Sequence, residues 1–510
     1  MKATKKPSVE KEISVGKFST ISKQVVFNYV TIITQILLAP LLVALLTRTL
    51  SVSEYGVYSL LMVFVFFSIS FLELGLSQYI ITKVSGLEHS EKVRTFFSIL
   101  RFEALFLATA LLIFIVSPLG NYFLRINKLS AYGSILKVCV AIVFIATLLR
   151  LFNSYFKAIK HINYANFLDM LFNKGLAVFL LLFFLLYRKF VLINVFQIWL
   201  LVAVIALGIA LYLSRKELRD YVKIGERAHY AKKALVFSIP LILVIISSWF
   251  LALSNRYILN YYTTTAVVGV FAVAYSLMSV ITTFSTTVAQ VIQPYFTEAF
   301  MKKEKHEGLI NTSLKYGLIL VIPAIVAAVV WRREIILLIS GTKYLGATPI
   351  MVTLALYPIF TLIAFVFYQV LIAAERNTYV GLMHLIAAGL SVGLNILLIP
   401  VWGMQGAAVA TLLSYGFLAV AMAIPGLRYV GIYPEFLKLP KILFAAALMG
   451  GVLFFAKPDE LILEFSVLAF AAVLYFTLII VLRVLDRKEI EIIKKLAPAP
   501  FHPLLDYFVK

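Results

Sequence analysis

The sequence predicts an all-α polytopic membrane protein with about fourteen transmembrane helices, and three observations carry that prediction. Of its 510 residues, 62% are hydrophobic and 14% charged, whereas a soluble domain is only about 45–50% apolar. Its mean hydropathy is +0.98. Apolar runs of about 18 to 25 residues recur from end to end, each matching the roughly 20 residues a helix needs to cross a 30 Å hydrocarbon layer.

The expected spans centre near residues 36, 67, 106, 144, 176 and 202, then near 244, 278, 322, 361, 388, 413, 447 and 473. Span one follows a tail carrying Lys2, Lys5, Lys6, Lys11, Lys17 and Lys23. That tail lacks an adjoining short apolar region with a small-residue cleavage site, so it reads as a cytoplasmic segment resting on anionic headgroups and not as a signal peptide. Span two is entered through RTLSVSEYGVYSL, and spans three to five carry Arg101, Lys137, Arg150 and Lys174 within or beside their apolar runs. Span six gives way at Ser214 to a basic stretch holding Arg215, Lys216, Arg219, Lys223, Arg227, Lys232 and Lys233. Span seven ends near Asn255 and Arg256, and spans eight to ten follow with Lys315 at the edge of span nine. Spans eleven and twelve are joined through LNILLIPVWGMQGAAVATLLSY. There Pro400 ends a span, Gly403 and Gly406 permit a tight turn, and Ala407, Ala408 and Ala410 let the returning helix approach closely.

This division gives a basic tail at 1–25, a six-helix lobe at 26–213 and a basic linker at 214–233. A second six-helix lobe follows at 234–430, then an appended helix pair at 431–486 and a tail at 487–510. An even number of spans places both termini on one side. With that side cytoplasmic, about 31 Lys and Arg fall in inner segments and about 10 in outer loops, the bias that fixes membrane orientation. The net charge of +22 is therefore mostly topological and does not call for a nucleic-acid partner.

The two lobes resemble each other. TRTLSVSEYGVYSLLM near the end of span one matches NRYILNYYTTTAVVGVFAVAYSLM near the end of span seven, placing Arg48 opposite Arg256 at an offset of about 208 residues. AIKHINY entering span five matches AAERNTY entering span eleven at about 215. A duplicated six-helix unit with parallel repeats places the expected substrate site between the halves.

Charge and polarity inside the spans indicate what that site accepts. A cation at the centre of a membrane helix costs roughly 2.5–3.5 kcal/mol on insertion scales. Arg101, Lys137, Arg150, Lys174 and Lys315 therefore indicate a wet, anion-accepting interior, with Lys137 and Lys315 near enough to span ends to snorkel. Polar stripes at helical spacing run along four spans: Asn28, Thr31 and Gln35; Arg150, Asn153 and Lys157; Asn166, Asp169 and Asn173; Thr283, Thr286, Gln290 and Gln293. Each stripe lines a hydrated cavity or bonds helix to helix at about 0.6 kcal/mol per contact. Glu73 and Asp169 are the most deeply placed acids; they are candidate carriers of a coupled H+ or Na+, or else structural partners of Arg101 and Lys174. Glu103, two positions from Arg101, points to a different helix face and is a poorer partner.

Cys139 is the only cysteine, which excludes an internal disulfide and a multi-cysteine metal centre. His161 and His384 lack the second histidine and carboxylates that a metal site needs, so no metal is expected. The string GLSVG at 389–393 spells GxSxG only inside the apolar run of span eleven, without the strand-to-helix turn that motif needs, and no HExxH, Walker A or GxGxxG pattern occurs, leaving hydrolysis and nucleotide-driven pumping without support. A membrane glycan polymerase or ligase would carry a large outer loop, and the outer loops read as short.

The run from Leu394 to Tyr415, with RTLSVSEYGVYSL, LELGLSQYI and SNRYILNYYTTTAVVGVFAVAYSL in matching order, resembles the polysaccharide-export branch of the multidrug/oligosaccharidyl-lipid/polysaccharide exporter superfamily. The resemblance implies a Wzx-type flippase. Such a protein moves a polyprenyl-pyrophosphate-linked oligosaccharide from the cytoplasmic to the outer leaflet of the cell membrane by alternating access, without a cofactor, beside glycosyltransferases or a glycan polymerase. The chain departs from the family at Asn255, where the pattern commonly has Asp before Arg; this removes a proton carrier and leaves Arg256 for phosphate. Arg48, Arg150, Lys174 and Arg256 are the preferred phosphate contacts, with Arg101 and Lys315 secondary, because arginine's planar fork donates two parallel bonds to phosphate. Asn28, Thr31, Gln35, Asn153, Asn166, Asn173, Asn255, Thr283, Thr286 and Gln290 are the candidate sugar contacts. A lipid II flippase has the same chemistry, whereas a MATE-type cation antiporter would present carboxylates with few unpaired cations.

Overall fold

The computed structural model describes residues 38–224, 229–301, 307–430, 438–456 and 461–485. The described residues are helical apart from short connections, and ten of their helices are long and apolar enough to cross a membrane. They gather into two compact units, residues 1–249 with 263–269, and residues 250–262 with 270–510.

In the first unit, α1 (Leu38–Thr49) passes through Leu50 to α2 (Val52–Leu72). Ser51 caps α2 in a reciprocal box with Glu54, satisfying two terminal donors. The chain continues through α3 (His89–Val116), the short α4 (Leu119–Ile126), α5 (Gly133–Ala158), α6 (Ile162–Tyr187) and α7 (Leu192–Leu213). Within the basic stretch, Arg215–Ile224 forms helix α8. α5 is the central helix, with Leu149, Leu151, Phe152, Tyr155 and Phe156 in a core shared with Phe96 and Phe97 of α3. The Phe96 ring stacks on Tyr155 at 4.1 Å.

α9 (His229–Tyr262) and α10 (Thr265–Met301) follow. The start of α10 meets the start of α2 through glycines: a Cβ on Gly56 would overlap the Thr265 carbonyl, and one on Gly269 would overlap the Val52 carbonyl. Ser53 and Thr265 share a 2.6 Å hydroxyl hydrogen bond at the same crossing. The contact is reciprocal, since Thr265 and Gly269 each lie 213 residues beyond the residues Val52 and Gly56 that they mirror. Two elements that bury the same patch against each other about a two-fold axis meet in this way.

In the second unit, α11 (Glu307–Val330), α12 (Arg332–Ile339) and α13 (Tyr357–Ala373) precede α14 (Asn377–Val430). α14 is broken at Gly403, whose φ of 55° and ψ of −132° are not helical. Beyond it the backbone of Gly406 lies against Leu398 and Ile399, residues that a straight helix would hold about 12 Å away. Ala407, Ala408 and Ala410 are fully buried on the returning segment. α15 (Leu439–Phe455) and α16 (Leu461–Val481) join the core of this unit through Ile442, Met449, Leu453 and Tyr475. The Trp331 indole donates to the Leu453 carbonyl at 2.8 Å, and the Tyr475 hydroxyl to Ile319 at 2.9 Å. Trp331→Phe is expected to cost about 2 kcal/mol, from the lost bond and lost volume, measured as a lower thermal midpoint in detergent.

The matched motifs AIKHINY and AAERNTY adopt one turn. Lys160 and Glu375, 215 residues apart, both have left-handed backbones at φ 65° and 57°. In each turn the next residue closes the helix from five positions back, His161 N–H to Phe156 and Arg376 N–H to Leu371, at 2.8 and 2.9 Å.

Candidate functional site

The polar residues of the first unit converge where α2 ends. Glu73 is the C-cap of α2, and the chain turns through left-handed Leu74 and Gly75 into the helical turn Leu76–Tyr79. The Ser238 hydroxyl donates to the Gly75 carbonyl at 3.1 Å and fixes the turn. Glu73 folds over the new turn and accepts from the Ser77 N–H at 3.2 Å, a carboxylate at a helix start, where the backbone dipoles favour it.

Arg150 of α5 reaches this carboxylate, one guanidinium nitrogen donating to Glu73 Oε2 at 2.9 Å and to the Ser70 hydroxyl at 3.1 Å. The two side chains differ in environment: Glu73 is 7% exposed and Arg150 47%. Part of the cation therefore remains open to another acceptor. The pairing corrects the expected Glu73–Arg101 alternative. Glu73 caps α2 on the side packed against α5, while Arg101 is exposed on α3.

Asp169 of α6 accepts from Asn173 at 3.0 Å, and Lys157, Arg150 and Lys174 lie within charge range of it. The stripes on α5 and α6 thus share a polar region in which Arg150, Lys157 and Lys174 lie within charge range of Asp169, and Arg150 also pairs with Glu73. Lys157 belongs to this region, although the sequence placed it only in a stripe; its position seven residues beyond Arg150 was the signal. The Asn153 side-chain oxygen is buried here with no hydrogen-bond partner among the described residues, and Asn166 is half-buried on α6.

In the second unit, Asn255 is buried and donates to the Thr411 hydroxyl at 3.0 Å, which itself donates to Ala407 at 2.8 Å. Asn395 donates to the Ser391 carbonyl at 2.7 Å. Asn255 thus ties α9 to α14. Arg256, next along α9, lies over the Tyr275 ring at 5.3 Å, and the Tyr275 hydroxyl meets that of Tyr357 at 3.2 Å. Lys315, expected to snorkel from a span end, is 4% exposed and sits 5.3 Å from the Tyr316 ring. The described part of α11 is helical from Glu307 onward, which puts Lys315 more than two turns inside the helix.

The remaining candidates are dispersed. Arg48, Arg101 and Lys137 are exposed. Thr283 and Thr286 donate to Ser279 and Thr282 of their own helix at 3.1 and 3.0 Å, the back-bonding common for helical threonines. Asn28, Thr31 and Gln35 lie outside the described residues, as do the side chains of Gln290 and Gln293. Glu103, which sequence reasoning set aside, is fully buried on α3. Among the described residues no group of three His, Cys, Asp or Glu is placed to hold a metal ion.

Residues 45–349, more than half of the chain, match the family described as polysaccharide biosynthesis protein. The probable low-salt glycan biosynthesis flippase Agl15 of Haloferax volcanii is 27% identical over 256 residues, 49% of this chain and 53% of that protein. The match thus spans about half the length of that relative. The lipid II flippase MurJ in an inward closed conformation superposes with a TM-score of 0.74 at 14% identity, covering 89% of this chain and 98% of MurJ. An inward-facing MATE multidrug transporter of the MOP superfamily gives 0.62 at 15% identity, covering 78% and 94%. At these identities the two likenesses establish the fold.

Proposed function

Because the chain belongs to the polysaccharide biosynthesis protein family, we propose that it is a flippase for a polyprenyl-(pyro)phosphate-linked oligosaccharide. It carries the headgroup from the cytoplasmic to the outer leaflet of the cell membrane by alternating access along a cationic path. The observation that supports this most is Arg150, a half-exposed guanidinium within an apolar span that pairs with Glu73 and, like Lys157 and Lys174, lies within charge range of Asp169. Cations so placed are costly unless they serve an anion. Arg150, Lys174, Arg48 and Arg256 receive the phosphates, with Arg101 and Lys315 in secondary roles, and the amide and hydroxyl stripes receive sugar hydroxyls. With the cell interior negative, each net negative charge moved outward releases about 2.3 kcal/mol per 100 mV. H+ or Na+ is the candidate coupling ion, with Glu73 and Asp169 its candidate carriers.

The architecture in this reading has about fourteen spans in two related six-helix halves plus an appended pair, both termini cytoplasmic. The reciprocal Gly56–Gly269 crossing, the equal turns at Lys160 and Glu375, and the break of α14 at Gly403 support it. Glycosyltransferases making the lipid-linked glycan, or a polymerase consuming it, are the expected neighbours in the membrane.

The test is flipping of a pyrophosphate-linked glycolipid by purified protein in liposomes. Arg150→Ala together with Arg256→Ala is expected to slow it at least tenfold, the effect of about 1.4 kcal/mol. Undiminished flipping in the double variant would refute the cationic site. Lipid II transported as fast as the oligosaccharide lipid would move the substrate to a peptidoglycan precursor.

A further inference from the structure

The short helix α4 (Leu119–Ile126) divides its residues among three faces. Gly120 and Leu124 are buried, and Phe123 holds the helix to α2, its ring 5.0 Å from that of Phe64. Leu119, Tyr122 and Ile126 share a second face and are 53%, 63% and 44% exposed. They continue the exposed apolar surface of Leu112, Ile113 and Val116 at the end of α3, one of the helices apolar enough to cross a membrane. Asn121 and Arg125, one turn apart, occupy the third face.

The chain then reverses. Lys128 has a left-handed backbone at φ 57°, and the N–H groups of Lys128 and Leu129 close α4 onto the carbonyls of Arg125 and Leu124 at 3.1 and 2.7 Å. The reversal brings Ser130 to the polar face, where Pro118, Asn121, Tyr122, Leu124, Arg125 and Ser130 line a surface cavity of about 370 Å³. Small-ligand sites run from roughly 300 to 1,000 Å³. The Asn121 amide, the Arg125 guanidinium and the Ser130 hydroxyl make no hydrogen bond or ion pair among the described residues. Lys128, by contrast, donates to the Thr263 carbonyl at 2.9 Å. No Asp or Glu occurs between Glu103 and Asp169, so no acid on α4, its flanking turns or α5 neutralises the guanidinium. A cation in the last turn of a helix suits the helix dipole, but the dipole explains neither the cavity nor the other donors that converge on it.

We infer that this cavity is a binding site for the phosphate of an anionic lipid. Arg125, Asn121 and Ser130 donate to the phosphate oxygens, the guanidinium by its planar fork, and the lipid chain runs along Val116 and Leu119. The occupant is amphipathic because the polar cavity opens beside an exposed apolar face, and the two together match a charged headgroup with a hydrocarbon tail. Two lipids have this chemistry, a membrane phospholipid and a polyprenyl phosphate. The site is separate from the one at Arg150, which lies 17 residues beyond Gly133 on α5, about 26 Å along the helix. It is also at the far end of α3 from the basic α8. His89, the first residue of α3, lies 3.5 Å from the Asp220 carboxylate of α8, whereas α4 follows the last residue, 28 residues and about 42 Å away.

Native mass spectrometry of the full-length protein released from detergent tests the site with phosphatidylglycerol, a polyprenyl phosphate and inorganic phosphate as probes, and phosphatidylcholine as the zwitterionic control. Arg125→Ala and Arg125→Gln are each expected to weaken binding of the charged lipids about tenfold, with thermal midpoints unchanged because the side chain is exposed. Arg150→Ala is expected to leave this Arg125-dependent binding in place, and Leu119→Asn to weaken the two lipids but not inorganic phosphate. Preference for the polyprenyl phosphate makes the occupant a glycan carrier, and preference for phosphatidylglycerol makes it a membrane phospholipid; either result supports the site. Charged-lipid binding that is the same in both Arg125 variants as in the wild type overturns it. So does phosphatidylcholine, or inorganic phosphate, held as tightly as the charged lipids. Transport is not among the readouts, so the site and the flippase assignment stand or fall separately.

Discussion

Gly56→Ala is expected to lower the thermal unfolding midpoint in detergent by roughly 6–12 °C, the shift that about 3 kcal/mol brings to a domain of 150–250 residues. A Cβ at this position overlaps the Thr265 carbonyl oxygen, lies 2.7 Å from its carbon and 3.1 Å from the Gly269 nitrogen. All three are backbone atoms, so no rotamer change relieves the clash and the two helices must separate. Gly269→Ala should produce a similar loss, because its Cβ meets Val52 and Gly56 in the same way. Gly208→Ala provides the contrast: it lies within α7 with nothing within 4 Å of the added carbon, and it should gain about 0.5–1 kcal/mol by removing glycine's excess unfolded freedom. Equal midpoints for Gly56→Ala and the wild type would show that α2 and α10 do not cross at these residues.

Glu73→Gln is expected to bind inorganic pyrophosphate about tenfold more tightly than the wild type, and Arg150→Ala to lose that binding. In the native site the Glu73 carboxylate occupies a guanidinium nitrogen of Arg150 at 2.9 Å, so an incoming phosphate competes with an internal anion. A hydrogen bond to a charged group contributes about 1.5–3 kcal/mol net. The half-exposed arginine puts the effect at or below the lower end of that range, and about 1.4 kcal/mol is a factor of ten. Glutamine keeps the volume, and its carbonyl can still accept from Ser77. Titration calorimetry on the protein in nanodiscs reads both variants, and an unaltered affinity in Glu73→Gln would show that the carboxylate does not gate the arginine.

The helical, membrane-spanning character of the chain was legible because lipid imposes it. A segment surrounded by lipid on one side and protein on the other is apolar nearly all round, so its length announces a span. The same uniformity erases the face. Nothing in FSILRFEALF separates the exposed Arg101 from the fully buried Glu103 two positions later, because the hydrophobic period that would orient the helix is absent. The Glu73–Arg150 pair joins residues 77 apart, and its existence depends on which side of α2 the C-cap faces. Lys315 was misplaced for a simpler reason: helical structure reaches at least eight residues N-terminal to it, and an apolar run does not show how far its helix extends beyond it. The repeat was readable as similar words, AIKHINY and AAERNTY, but the shared turn at Lys160 and Glu375 was not, since neither residue is the glycine that marks a left-handed backbone.

The bonds from Trp331 to Leu453 and from Tyr475 to Ile319 span 122 and 156 residues, which has a consequence for biogenesis. At about 5–20 residues per second of synthesis, the Trp331 indole enters the membrane roughly 6–24 s before its acceptor has been made. Through that interval the nascent second unit holds a tryptophan donor and an α11 surface that nothing later in the chain has yet covered. Its integrity until α15 and α16 arrive then falls to the insertion machinery or to transient lipid contacts, and a chain halted by a stop codon after α14 would be left in the same unfinished condition and exposed to membrane quality control.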